Sequence, residues 1–387
     1  MLRCAGLYAC EVDDLGLALS QIQTQLSEKI ELLEHTVGII MCHTEFVDSG
    51  VLKHVAENLP FDVAGITTSA QAVNDMISEM VLTVFVMTSD AILFKVGTAE
   101  TIEEDIEGSL RAAIEEAAGS ATPSLIFAFP PLSLNQAGDD ISDAWGKIFP
   151  GVPVFGTLAV DDTADFTGGK TIYRGNAAKM GHSFILCYGD INPRFLIATL
   201  PESDVQHKGE ITKSESNLVY EIDGRSAGEY LTTAGFISKK EPLGIFWFVP
   251  FLISQQKRED YDGVPVVRGL ASVTEDGTAI FRGKIDEGSI FTLLNMTAQD
   301  VVAETKTKLQ TTKDMTDING VIAFSCIVRH MMIINKNPLE EMEQAKETLG
   351  DLPFMMGYSG GEYCPTSIRD GGHVNRFHNY SFVALVL

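Results

Sequence analysis

Glu362 follows two glycines in SGGE (359–362), where close backbone approach is easy, and a carboxylate so placed accepts hydrogen bonds from an ammonium group. Arg329 stands three residues after Cys326 in FSCIVR (324–329), and its planar guanidinium offers a carboxylate two parallel donors. Glu362 and Arg329 therefore suit the two ends of an α-amino acid. Asp161 and Asp162 close the run VPVFGTLAVDD (152–162), a strand-like apolar stretch that turns at Gly156, and Thr67, Thr68 and Ser69 close FDVAGITTS (61–69) in the same way. Each candidate has a plain structural alternative. Glu362 fits a turn, Arg329 an ion pair, the two aspartates a turn cap or water, and the hydroxyls a helix N-cap.

The same residues admit catalysis as a rival reading. Asp161 or Glu362 would act as acid or base, or Cys326 as the nucleophile of a hydrolase or transferase, with His330 or His378 as its base. Yet Cys326 and Cys364 adjoin apolar strand residues, where a free cysteine is usually buried and inert rather than held as thiolate. The sequence contains no HExxH, CxxCH, P-loop or GxGxxG, so no catalytic residue, metal or cofactor is assigned. His330, His373 and His378 have no haem attachment or axial-ligand pattern, and the protein is expected to carry no haem.

The elements that must position these residues recur. TVGIIMCH (36–43), a helix near 49–58, FDVAGITTS and MVLTVFVMTSD (80–90) make one unit. SLIFAFP (124–130), a helix near 140–148, VPVFGTLAVDD and MGHSFILCYGD (180–190) make a second, and GVIAFSC (320–326), a helix near 339–349, PFMMGYSGGE (353–362) and YSFVALVL (380–387) a third. Each reads strand, helix, strand ending at glycine, loop, strand. The short apolar runs suit strands covered on both faces, so we expect an α/β fold of layered mixed sheets with helices, built from internal β-α-β repeats. The loops TTS, TLAVDD and SGGE then sit at matching strand ends, where α/β proteins hold ligands. This is the reason offered for paired acids at the end of a core strand.

AILFKVGTAETIEEDIEGSLRAAIEEA and SIFTLLNMTAQDVVAETKTKL extend the equivalence upstream, each a strand followed by a helix. Residues 190–200 read as a strand and 201–215 as a polar linker; NLVYEIDGRSAGEYL (217–231) then starts strand, Asp-Gly turn, helix. PVVRGLA, TAIFRGK and SIFTLLN read as a β-meander. The expected division is 1–217 and 218–387, two halves sharing an interface because the repeats straddle the boundary.

A chain of 387 residues exceeds what one core usually serves. With 53 acidic against 28 basic residues, the formal charge of -25 repels phosphate backbones and anionic lipid, so nucleic acid and membrane are poor partners. The longest apolar run, GIFWFVPFLI (244–253), falls short of the roughly 20 residues that span a bilayer. Six scattered cysteines without a CxxC pair, and no visible leader, point to a reduced, cytoplasmic protein.

Several of these pieces together resemble the FIST family of sensory domains. AGITTS (64–69) and FGTLAVDD (155–162) are similar to motifs of its amino-terminal half, and YEIDGRSAGEY (220–230), FSCIVR, GGEYCP (360–365) and HNYSFVALVL (378–387) to its carboxy-terminal half. Thr157 departs from the family's second glycine, and Ser69 and Ala70 from its small residue and glycine. The resemblance implies binding rather than catalysis. Its members are proposed to sense small molecules, amino acids foremost, and a subset is described as haem-based gas sensors. With no kinase, cyclase or receptor module attached, the expectation is a stand-alone sensor or adaptor, with a small-molecule ligand and a signalling protein partner.

Overall fold

GIIMC, LIFAF and VIAFSC lie at the centres of three sheets, where both faces are covered and alternation is not required. The structure, a computed structural model, describes all residues except 101–103, 134–135, 164–165, 167, 200–207, 238–249, 255–264, 295–296 and 368–371. The first unit runs β1 (Leu2–Ala9), α1 (Leu15–Lys29), β2 (His35–Cys42), α2 (Glu45–Asp48), α3 (Val51–Glu57), β3 (Asp62–Thr67), β4 (Gln71–Val73), β5 (Met76–Ser78) and β6 (Leu82–Ser89). The second runs β7 (Leu93–Glu100), α4 (Ile106–Ala118), β8 (Leu125–Phe129), α5 (Gly138–Ile148), β9 (Val154–Thr157), β10 (Thr171–Tyr173), β11 (Asn176–Ala178) and β12 (Gly181–Tyr188).

The third unit opens with β13 (Arg194–Ala198) and is then interrupted. The inserted segment contains β14 (Lys208–Glu215), β15 (Leu218–Ile222), β16 (Arg225–Ser226), α6 (Ala227–Thr233), β17 (Pro250–Ser254), β18 (Val266–Val273), β19 (Ala279–Phe281) and β20 (Ile290–Leu293). The unit resumes with α7 (Ala298–Gln310), β21 (Val321–Cys326), α8 (Ile327–Ile333), α9 (Glu340–Leu349), β22 (Phe354–Ser359), β23 (Glu362–Ser367), β24 (His373–His378) and β25 (Phe382–Val386).

The units share one strand order: β1-β6-β2-β3, β7-β12-β8-β9 and β13-β25-β21-β22. The pairs β2/β3, β8/β9 and β21/β22 are parallel, joined by helical crossovers, and the closing strands β6, β12 and β25 are antiparallel to them. The hairpin after each parallel pair leaves its own sheet. β4–β5 adds to β22, β23–β24 to β9 and β10–β11 to β3. The units thus exchange hairpins in a ring, first to third, third to second, second to first.

The inner faces of the three sheets meet in one core, with Ile39 and Phe85 from the first, Phe127 and Phe155 from the second, and Phe324 and Val383 from the third. The Phe155 and Phe324 rings lie 5.3 Å apart across it. Helices cover the outer faces: α1 and α3 through Ile22 and Val55, α4 and α5 through Leu110 and Trp145, α7 to α9 through Val301, Ile333 and Met342. The insert forms its own sheet, ordered β14-β20-β17-β18-β19-β15-β16, with a core including Leu231, Phe251 and Phe291.

The layered α/β fold forms as expected, and three readings change. Residues 208–215 are strand β14, with Ile211 buried, not linker; 201–207 lie outside the described residues. The supposed meander is broken, because β20 pairs with β14 and β17 while β19 pairs with β18 and β15. SIFTLLN is accordingly a strand of the insert, and the third unit's edge strand is β13, paired with β25. Position 217 falls at the turn between β14 and β15, which pair with each other. Of the run 244–253, residues 244–249 lie outside the described residues and the rest opens β17.

Candidate functional site

The ends of β3, β9 and β22 converge, and their loops bond one another. Gly65 and Gly156 hold equivalent places on β3 and β9: a Cβ on Gly65 would lie 1.8 Å from the Ile40 carbonyl oxygen, and one on Gly156 1.9 Å from that of Ala128. Only glycine permits this approach of the paired backbones. Beyond it, the Thr67 hydroxyl donates to the Val160 carbonyl at 2.8 Å and accepts the Lys170 amide at 2.8 Å. The Thr157 hydroxyl reaches the Gly361 carbonyl at 2.8 Å and the Ser359 hydroxyl. The Tyr358 amide donates to the Ala70 carbonyl at 3.1 Å, and that of Gly360 to Leu158 at 3.0 Å. The departure from glycine at Thr157 thus supplies a hydroxyl that ties two units.

The anticipated site residues divide accordingly. Thr67 and Thr68 are fully buried, Thr68 accepting from the Gln71 side-chain amide, and no helix follows for them to cap. Ser69 is half-buried, its hydroxyl 3.4 Å from His330 Nδ1. Asp161 is buried and accepts the Thr163 hydroxyl at 2.8 Å, while Asp162 is exposed with Oδ2 3.5 Å from His43 Nε2. The paired acids therefore point into different surroundings. Arg329 is enclosed. It donates to Glu341 Oε1 at 2.8 Å, to the Thr305 hydroxyl, and to the Val301 and Tyr380 carbonyls, so its guanidinium serves the protein and does not clamp a ligand against Glu362. Glu362 is also enclosed. Oε2 accepts the Ser381 hydroxyl at 2.6 Å, Oε1 has no hydrogen-bond partner, and burial holds the carboxyl well above the usual carboxylate range.

The insert and the third unit line a partly open cavity of about 30 Å³ beside Cys326 and Gly360. Gly269, Leu270 and Arg282 come from the insert; Cys326, Ile327 and Val328 lie where β21 passes into α8, with Asn379 and Tyr380 before β25. Tyr380 is 1% exposed, carries a left-handed backbone (φ 58°), and its hydroxyl has no partner. Such a conformation in a bulky residue costs on the order of 1–3 kcal/mol and persists only where the surroundings impose it. Beside the cavity Arg268 Nη2 meets Asp139 Oδ1 at 2.8 Å, and Lys284 Nζ meets Asp140 and Asp143 at 2.6 and 2.7 Å, fastening the insert to α5.

Burial and the neighbouring Glu362 both push the Cys326 thiol up, so it stays protonated, the opposite of what a nucleophile requires. His330 stacks on Tyr358 with centroids 4.3 Å apart, His378 Nε2 lies 3.0 Å from the Cys364 carbonyl, and His373 edges Phe195. Among the described residues no group of three or more His, Cys, Asp or Glu side chains could hold a metal, and no helix is long and apolar enough to cross a membrane.

Two adjoining domains account for this geometry: residues 36–225 match the FIST N domain and residues 228–365 the FIST C domain. The chain belongs to the FIST family. FIST domains are small-ligand sensory domains of signal transduction. No curated protein matches the chain. Of the FIST motifs, FSCIVR supplies Cys326 to Val328 of the cavity, GGEYCP supplies Gly360, and HNYSFVALVL supplies Asn379 and Tyr380. Sequence reasoning singled out Cys326 but passed over Tyr380, Leu270 and Arg282. Tyr380 reads as the opening of a strand, and only the distant insert reveals it as a cavity wall.

Proposed function

We propose that this FIST protein is a non-enzymatic sensor that binds an amino acid or a related small metabolite in the cavity between the insert and the carboxyl ends of β21 and β22. The observation that carries the reading is Tyr380, a residue of the cavity wall with a strained backbone and a buried hydroxyl that has no hydrogen-bond partner. Thr67, Thr68, Ser69, Asp161 and Glu362 are not among the cavity's walls, and Arg329 braces α8, the helix that begins at Ile327. Because the cavity has one wall from the insert and one from the third unit, a ligand touching both favours one relative placement of the two. That placement is what a signalling protein partner reads. Six free cysteines support a reducing, cytoplasmic setting.

A thermal-shift screen of amino acids and their derivatives tests this. A ligand at 100 times its Kd adds about 2.7 kcal/mol. A stabilisation lost in Cys326→Val, which fills the cavity, is the expected result; no stabilisation by any compound removes the reading.

A further inference from the structure

We infer that the free edge of β7 is a docking site for a partner protein, which adds an extended segment there as a further strand and sets a carboxylate side chain against Lys95. A partly open groove of about 320 Å³ runs along this edge, between α4 and the tip of the β10–β11 hairpin. Five consecutive residues of β7, Phe94 to Thr98, line it. Side chains alternate between the two faces of a strand, so an unbroken run lines one groove through its backbone.

The pairing of the second sheet shows which backbone groups face the groove. The Ile126 amide donates to Pro153 toward β9, so Phe127 turns to Ile185 of β12, and Phe184 and Leu186 of β12 turn to Gly97 and Lys95 of β7. The N–H and C=O of Phe94, Val96 and Thr98 therefore point away from β12, and no described residue bonds to them. β1 holds the same edge place in the first sheet, and there α1 occupies it. Lys29 Nζ donates to the Gly6 carbonyl at 3.1 Å, the Gln25 side chain bonds the Tyr8 amide and carbonyl at 3.3 and 2.7 Å, and Gln21 accepts from the Cys10 amide at 2.9 Å. α4 instead brings Ala113 and Ala117 to the groove, side chains with nothing to bond the edge. What such an edge recognises is another strand, about 4.8 Å away.

Lys95 adds a charge requirement. Arg174 in the same groove is paired with Asp62 at 2.7 Å, whereas Lys95 Nζ has no hydrogen bond or ion pair among the described residues. A carboxylate on the incoming segment supplies its partner. α4 and the hairpin flank the groove, which suits a single extended segment better than the edge of a second folded copy.

The test is fluorescence polarisation on the full chain with a labelled heptapeptide, Thr-Val-Glu-Val-Thr-Val-Thr, which should bind saturably. N-methylating the valine amides, or the other amides, should abolish binding for one set and spare the other, since a strand pairs with β7 through alternate residues. Thr98→Pro removes one outward N–H, leaves the bonds to β12 in place and should melt as the parent does, while weakening the peptide roughly tenfold. Lys95→Glu should also weaken it, and should recover affinity for the peptide with lysine in place of glutamate; this exchange carries the test if Thr98→Pro lowers the melting temperature. No binding, binding unchanged in both variants, or equal loss from either set of N-methyl groups overturns the proposal. A dimer of the chain alone that Thr98→Pro dissociates overturns the extended segment in favour of a second copy pairing at β7.

Discussion

Arg329 and Glu341 form an ion pair at 2.8 Å with both side chains wholly enclosed. Glu341 also accepts the Thr305 hydroxyl at 2.6 Å and the Ser325 hydroxyl at 2.9 Å, and Arg329 reaches the Val301 and Tyr380 carbonyls. The pair therefore ties α7, α8, α9 and β21 behind the cavity wall. Removing one charge leaves the other buried without its partner, which costs about 3–5 kcal/mol. Glu341→Gln and Arg329→Met should each lose that much in urea unfolding. The double variant Arg329→Met, Glu341→Leu should recover most of it, because an apolar pair of similar volume replaces both charges. Single variants as stable as the parent would show that the pair does not hold these helices.

Glu362 gives the protein a pH dependence of definite sign. Its folded-state carboxyl titrates well above the unfolded value through burial, so the folded chain retains a proton that the unfolded chain releases. Stability from this group is full below about pH 4.3 and declines as pH rises toward the folded value. Glu362→Gln keeps an acceptor for Ser381 and cannot ionise. It should flatten that part of the stability curve, gaining on the parent at pH 8 relative to pH 5 in chemical denaturation. Parallel curves for the two proteins would contradict a neutral Glu362.

The repeat was legible because its signals are local. Apolar runs such as GIIMC and VIAFSC, and glycines such as Gly65 and Gly156 that admit a neighbouring carbonyl, each show within a few residues. The hairpin exchange was not. Gln71–Ser78 forms a hairpin whose acceptor strand, Phe354–Ser359, lies some 280 residues away and is chosen by the three-sheet geometry. Arg329 misled for a similar reason: the sequence reading set it at the strand end after Cys326, whereas it lies within α8, and Glu341, its partner, belongs to the next helix. Thr67 was read as a ligand residue and Thr157 as a departure from glycine, and the hydroxyls of both join loops to each other.

His182 should limit acid stability. It is buried, edges the Trp145 ring with centroids 5.7 Å apart, and desolvation lowers its pKa to about 3. A histidine depressed in the fold remains neutral there while the unfolded chain takes up a proton, so stability is lost as pH falls from about 6.5 toward the folded value. By pH 4 the loss from this residue reaches about 3 kcal/mol. His182→Phe should reduce the acid loss between pH 6.5 and 4, as followed by circular dichroism across urea. An unaltered acid limb would mean that His182 is charged in the folded protein.

Residues 1–217 should fail as an independent domain. In that fragment β4–β5 has lost β22, the strand it pairs with through Ala72 and Met356, and β9 has lost β23, whose Glu362 and Tyr363 face Thr157 and Gly156. Removal of the third sheet also strips Ile322, Phe324, Val383 and Leu385 from the central core, exposing Phe129 and Phe155 where they met Phe324. Each buried side chain of this size is worth about 1.5–3 kcal/mol, so the several uncovered together exceed the 5–15 kcal/mol that stabilises a typical domain. The unpaired edges of β9 and the β4–β5 hairpin would add strand-pairing surfaces that favour aggregation. Expression of 1–217 should give insoluble protein or a species without a cooperative melt, and co-expression with 218–387 should restore a soluble complex by returning both hairpins to their acceptors. A fragment 1–217 that is soluble alone and melts sharply would show that the ring of exchanged hairpins is not needed to hold the first two sheets.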